Sequence, residues 1–242
     1  MHDLAEALGL PLSDVVRRVE TMGEYNPMLG MRGVRLGVTV PEIYEMQARA
    51  IFEAIVQVSK EGISVVPEIM IPLVSAKREV ELVKKRVASV ASQVGLETSA
   101  EVNYKLGVMV ETPRAALRAS DIAMNSEFLS FGTNDLTQMA YGLSRDDAGK
   151  FMSQYVQQGV FQEDPFHILD PEGVGELVKL GADRARSIKP NITLSICGEH
   201  GGNPESIAFC HQLGFHYVSC SPYRVPVAKL AAAQVAISTQ IS

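Results

Sequence analysis

Residues 105–147 read KLGVMVETPRAALRASDIAMNSEFLSFGTNDLTQMAYGLSRDD. Two short apolar runs lie within them, Leu106–Val110 and Phe128–Phe131, and each stops abruptly in polar chemistry. The first stops at Glu111, the second at Gly132-Thr133-Asn134-Asp135. A parallel strand buried on both faces reads as an unbroken apolar run, and parallel α/β folds keep their sites just past the C-terminal ends of such strands. Two carboxylates placed at the ends of neighbouring strands would face one mouth. Mg²⁺, which takes one or two carboxylates together with substrate oxygens and water, suits that pair.

Outward from this stretch the chain alternates. Toward the N-terminus, Leu4, Leu8, Leu10, Val15, Val16 and Val19 predict helix over 3–24, broken at Pro11 and stopped near Gly23. A glycine-punctuated segment, NPMLGMRGVRLGV (Asn26–Val38), carries Arg32 and Arg35 and ends in a strand-like alternation. Pro41 opens an amphipathic helix that runs to Gly62, Ile63–Val74 reads as a buried strand interrupted by proline, and Ala76–Val94 returns to helix. Toward the C-terminus, Thr112-Pro113, Asp170-Pro171 and Asn203-Pro204 each set a capping side chain before a proline, the favoured start of a helix. Ser221-Pro222 does the same, or makes a turn, ahead of Arg224–Ile237. Strands alternating with helices predict a parallel sheet with right-handed crossovers. Six strands are expected, near 32–38, 64–72, 104–110, 128–131, 193–197 and 216–220. A closed (β/α)₈ barrel needs eight.

The composition narrows the function. With 242 residues, 46% hydrophobic and 21% charged, the chain is long enough for one large α/β domain. A net charge of -6 without any basic block argues against a nucleic-acid surface. No run is long enough to span a membrane and the N-terminus lacks a basic signal-peptide start, so a cytoplasmic protein is expected. Cys197, Cys210 and Cys220 are odd in number and lack metal-type spacing, which reads as reduced thiols.

Several residues stand out chemically. On local sequence Glu111 reads first as a carboxylate serving the helix that begins at Pro113, and second as a metal ligand. Asn134 and Asp135 suit a helix cap, yet four small polar residues in a row exceed one cap, and a glycine-led helix start also suits an anion. Arg145 reads as a surface ion-pair partner or as a bidentate ligand for phosphate or carboxylate, and Arg32 and Arg35 carry the same ambiguity. Cys197, in SICGEHGG, ends a strand before a glycine-rich turn, where a thiol can give and take a proton. His200 reads as a hydrogen-bonded structural imidazole or as an acid–base partner.

Taken together, NPMLGMRGVRLG, PEIMIPLV, GVMVETPRAAL, SFGTNDLTQM, SRDDAGKF, DPFHILD, GVGELV, ICGEHGG and YVSCSPYRVPVAKLAAAQ resemble the C-terminal phosphoenolpyruvate/pyruvate-binding barrel of the pyruvate, phosphate dikinases. Phosphoenolpyruvate synthases and enzyme I of the sugar phosphotransferase system are relatives. The resemblance runs from about Leu8 to about Ile237 and implies a (β/α)₈ barrel. It further implies that Glu111 and Asp135 bind Mg²⁺, that Gly132, Thr133 and Asn134 form the substrate loop with Asp135, and that Arg145 contacts substrate. Cys197 then matches the proton donor, and Arg32 and Arg35 an arginine pair near the site.

The implied function is that of the pyruvate/phosphoenolpyruvate part of a phosphotransferase. Phosphoryl groups would move between a phosphohistidine and pyruvate enolate. Residues 1–242 would form one partial barrel domain, without the family's first two strands and their phosphate-gripping arginines. The phosphohistidine and ATP-binding domains would be partners outside this chain, self-association as a homodimer is expected, and the chain alone would not run the full reaction. A second reading is a non-catalytic remnant that binds Mg²⁺ and oxo-acids or mediates dimerisation. A lyase or aldolase of the wider pyruvate-binding group is a third.

Overall fold

The computed structural model describes residues 1–241, and Ser242 lies outside the described residues. The chain divides into two compact units, Met1–Arg32 and the remainder from Gly33 onward. In the first, α1 (His2–Leu8) is closed by Gly9 in the left-handed conformation, at φ 63°. α2 (Leu12–Thr21) starts directly after Pro11, so the expected break falls where the ring cannot continue a helix. A 3-10 turn, Pro27–Leu29, completes the unit.

The second unit alternates strands and helices. α3 (Val34–Thr39) and α4 (Pro41–Lys60) precede β1 (Glu68–Ile71), and α5 (Lys77–Thr98) leads to β2 (Lys105–Val110). α6 (Pro113–Leu117) and α7 (Ala119–Ala123) connect to β3 (Phe128–Gly132). Next come α8 (Thr133–Tyr141), α9 (Arg145–Ala148), α10 (Met152–Gln157) and α11 (Val174–Ile188), then β4 (Thr193–Cys197). α12 (Pro204–Gln212), β5 (Tyr217–Val218) and α13 (Val225–Ile241) complete the order.

The five strands form one parallel sheet in the order β1-β2-β3-β4-β5. Each strand lies beside its successor, so crossovers of a single hand put the connecting helices on one face. The residues bear this out. Ile69, Ile71, Leu106, Val108, Val110, Leu129, Phe131, Leu194, Ile196 and Val218 pack into one core with the helices. The other face carries Glu68, Met70, Lys105, Gly107, Met109, Ser130, Ser195, Cys197 and Tyr217 in matching register. The Tyr217 hydroxyl of β5 donates to Glu68 Oε2 of β1 at 3.1 Å. First and last strands therefore meet across that face, as the inside of a barrel arc requires.

Three expectations are corrected. The segment 32–38 is not a strand: Gly33, at φ 57°, turns the chain into α3, and the described sheet has five strands, not six. The buried strand expected over 63–74 contracts to Glu68–Ile71, and Ile63, Val65 and Val66 are exposed. Pro67 and Pro72 flank the strand that remains, and neither has an N–H for a ladder. Pro171 opens no helix; the Asp170 carboxylate caps a turn through the Glu172, Gly173 and Val174 amides, and α11 begins at Val174.

Candidate active site

Because the strands are parallel, their C-terminal ends open at one mouth. Glu111 leaves β2 there and is only 4% exposed. Its Oε1 accepts a hydrogen bond from the Leu73 amide, just past β1. Leu73 is itself in the left-handed region, at φ 58°, a strained state for a branched side chain that its surroundings must enforce. The other carboxylate oxygen lies against Gly132, where a Cβ would fall 2.9 Å from Oε2. Glycine is required there.

β3 passes directly into α8, and Asp135, 8% exposed, sits in the first turn, where a helix N-terminus stabilises a carboxylate. Asn134 Oδ1 accepts from the Glu199 amide at 3.3 Å. It also packs on Gly198, whose Cβ would come within 2.9 Å of it. Gly198 stands at φ 106°, so no side chain belongs at this contact.

Cys197 ends β4 beside Gly132 of β3, and its thiol points to the Phe131 carbonyl oxygen, 3.7 Å away. Burial raises the thiol's pKa most; the Ser130 hydroxyl pulls the other way, and the Glu111 and Asp135 carboxylates add to the rise. The thiol stays protonated at neutral pH, and both carboxylates act on it. Glu111 and Cys197 both flank Gly132, and Asp135 follows it by three residues, so the three side chains make one candidate site. Of the other cysteines, Cys210 is a buried part of α12, consistent with a small hydrophobe.

Arg145 opens α9, its amide donating to Gln138 Oε1 at 2.9 Å and its guanidinium to Glu199 Oε1 at 3.2 Å, which brings it to the β4 side of the mouth. Arg35 lies on α3, whose leading Val34 amide donates to the Pro72 carbonyl at the end of β1. Arg32 belongs to the first unit, where it donates to the Met28 carbonyl. Sequence reasoning missed Leu73 and Ser130. For Ser130 a signal was present: FLSFG and TLSIC carry serine at the same distance from their strand ends, and the two serines are register partners.

Among the described residues no group of three or more His, Cys, Asp or Glu side chains is placed to hold a metal. A hard cation completed by substrate oxygens and water needs fewer. Two buried carboxylates, one lying in a cradle that a Cβ would fill, fit that requirement.

Comparison with known proteins bears on this mouth. Residues 6–237 match the family described as PEP-utilising enzyme, PEP-binding domain. The chain is 52% identical over 239 residues to a pyruvate, phosphate dikinase of Clostridium symbiosum, covering 98% of this chain and 27% of that protein. It is 53% identical over 237 residues to one from Rhizobium meliloti (98% and 26%), and 51% identical to a chloroplastic one from Arabidopsis thaliana (98% and 25%). The chain thus spans about a quarter of the length of these curated relatives. A citrate lyase structure from Burkholderia xenovorans superposes with a TM-score of 0.47 at 16% identity, over 72% of this chain and 52% of that one.

Proposed function

The chain belongs to the PEP-utilising enzymes through their PEP-binding domain, and on that premise we propose that it is the pyruvate/phosphoenolpyruvate part of a pyruvate, phosphate dikinase. Residues 1–242 are read as one partial barrel domain of that enzyme. The phosphohistidine and ATP-binding parts would belong to the remainder of such an enzyme, working as a homodimer in the cytoplasm. Among the described residues no helix is long and apolar enough to cross a membrane.

Glu111 and Asp135 would hold Mg²⁺. When bound, the ion supplies positive charge that draws the substrate's oxygens together and stabilises the charge of an enolate. Gly132, Thr133 and Asn134 present the head of α8 to the substrate, and its N–H groups suit a carboxylate or phosphate. Arg145, steered by Glu199, adds a cation at the rim; Arg35 is read as a further anion-binding residue there, and Arg32 as an anion-binding residue of the first unit. Cys197 gives its proton to the methylene carbon in the direction of pyruvate and takes it back in the direction of phosphoenolpyruvate. A thiol held protonated at neutral pH suits that donor role.

The observation that carries this reading is that the buried Glu111 carboxylate and the half-buried Cys197 both flank Gly132, with the buried Asp135 three residues beyond it. Calorimetric titration of the chain with oxalate, an enolate-like planar dianion, tests it. Binding is expected with Mg²⁺ and not with EDTA; equal binding in both would overturn the metal assignment, and no binding in either would overturn the site.

A further inference from the structure

His200 is used by no step above, although it is fully buried in the 3-10 turn Glu199–Gly202 that follows Cys197. Both ring nitrogens are engaged. Nε2 lies 2.9 Å from the Pro165 carbonyl oxygen, and Nδ1 lies 2.6 Å from Thr133 Oγ1. A carbonyl only accepts, so Nε2 carries the proton. Burial lowers the imidazole's pKa and keeps it neutral, with Glu199, Arg145 and His167 the charged or titratable groups around it. Nδ1 is then an acceptor, and the Thr133 hydroxyl donates to it. Thr133 Oγ1 also stands 3.1 Å from the Cys197 carbonyl oxygen, so its single proton faces two acceptors. The imidazole has the shorter contact.

Three parts of the chain meet at this ring. Thr133 is the first residue of α8, immediately before Asn134 and Asp135. Pro165 belongs to the segment between α10 and α11, where the neighbouring Phe166 packs with Ala148 of α9 and Met152 of α10. His200 itself continues the chain that delivers Cys197. We propose that His200 is a positioning residue: its imidazole, protonated on Nε2, ties Thr133 to Pro165 and so fixes the Gly132–Asp135 turn against Cys197. The role rests on reading the mouth as a pyruvate/phosphoenolpyruvate site, and it acts through Thr133, without contact to substrate.

Two isosteric variants separate positioning from filling space. His200→Asn puts an amide near Nδ1 and keeps the Thr133 partner; His200→Gln reaches toward Nε2 and keeps only Pro165. Oxalate titrations with Mg²⁺ on the full 242-residue chain are expected to show His200→Gln weakened about tenfold, the effect of one lost buried hydrogen bond. His200→Asn is expected to recover most of that loss. Thr133→Val attacks the link from the other side, and adding His200→Gln to it is expected to bring little further loss. In ¹⁵N-histidine spectra of the wild type, one buried ring should show the neutral Nε2–H tautomer. Equal losses in the Asn and Gln variants, full additivity with Thr133→Val, or an Nδ1–H tautomer would each overturn the positioning role. Failure of the wild type itself to bind oxalate would overturn the site reading and this role with it.

Discussion

At Gly132 one hydrogen atom decides whether the mouth is built. A Cβ there would fall 2.7 Å from Met109 Sδ and 2.8 Å from Glu111 Cβ, besides crowding the carboxylate. Gly132→Ala is therefore expected to push Glu111 out of place. The expected outcome is at least tenfold weaker Mg²⁺-dependent oxalate binding, with a stability loss of about 1–3 kcal/mol from overpacking, read by urea denaturation. Cys197→Ala should separate binding from proton transfer: solvent deuterium exchange into the pyruvate methyl group should disappear while Mg²⁺-dependent oxalate binding stays within a few-fold. Exchange that persists in this variant would remove Cys197 from its donor role. Much of this candidate site was legible, because Glu111 and Cys197 stand at the ends of apolar strands and Asp135 in the polar run that follows one. The amide that holds Glu111 was not. It belongs to Leu73, whose left-handed backbone contradicts the preference of its side chain, so no local pattern announces it. The bond from His200 to Thr133 spans 67 residues, and only the register of β3 against β4 creates it.

Among the elements, starts were easier to read than periods. Thr112 caps α6 through the Ala115 amide at 3.1 Å, and Asn203 caps α12 through the Ser206 amide at 2.9 Å, as a capping residue before proline predicts. Asn203 Oδ1 also accepts from Ser206 Oγ at 2.9 Å, and that oxygen receives the Leu169 amide at 3.1 Å. Asn203→Ala is accordingly expected to cost about 1–2 kcal/mol of unfolding free energy in urea titrations, and Asn203→Asp to retain most of it. α3 shows why the period misled. Val34, Leu36 and Val38 alternate as a strand would, but the buried pair is Val34 and Gly37, one helical turn apart. Gly37 is buried because the Tyr44 ring lies where its Cβ would be, 2.7 Å away. A glycine that faces the core adds nothing to a hydrophobic pattern, so the helical period is silent there.

Over the whole molecule, alternation of strand and helix foretold a parallel sheet and the family resemblance implied its barrel curl, whereas the Tyr217–Glu68 contact between chain-distant strands was not legible. Burial also sets how the protein responds to alkali. Burial pushes the Cys210 thiol from 9.0 up to about 12, and burial raises Cys197 as well. Tyr141 is raised from 10.0 to about 12, first by burial and then by its hydrogen bond to Asp170. In each case the folded chain keeps a proton that the unfolded chain releases. The stabilisation is therefore complete below pH 9 and is lost as the pH climbs toward 12. For Cys210 the loss approaches about 1.4 kcal/mol per pH unit, or about 4 kcal/mol across the window. His200 sets the opposite limb: its pKa lies below 6.5, so its stabilisation is present above that pH and is lost as acid forces a proton onto the buried ring. Urea midpoints measured between pH 5 and 11 should thus trace a dome whose alkaline side falls steeply. Cys210→Ala should lower the neutral-pH midpoint slightly, by the lost packing of a sulfur, and flatten the alkaline side by about one proton's worth of slope. An unchanged alkaline slope in that variant would mean that the thiol ionises in the folded protein as freely as in the unfolded chain, and that the space between α12 and the sheet admits water.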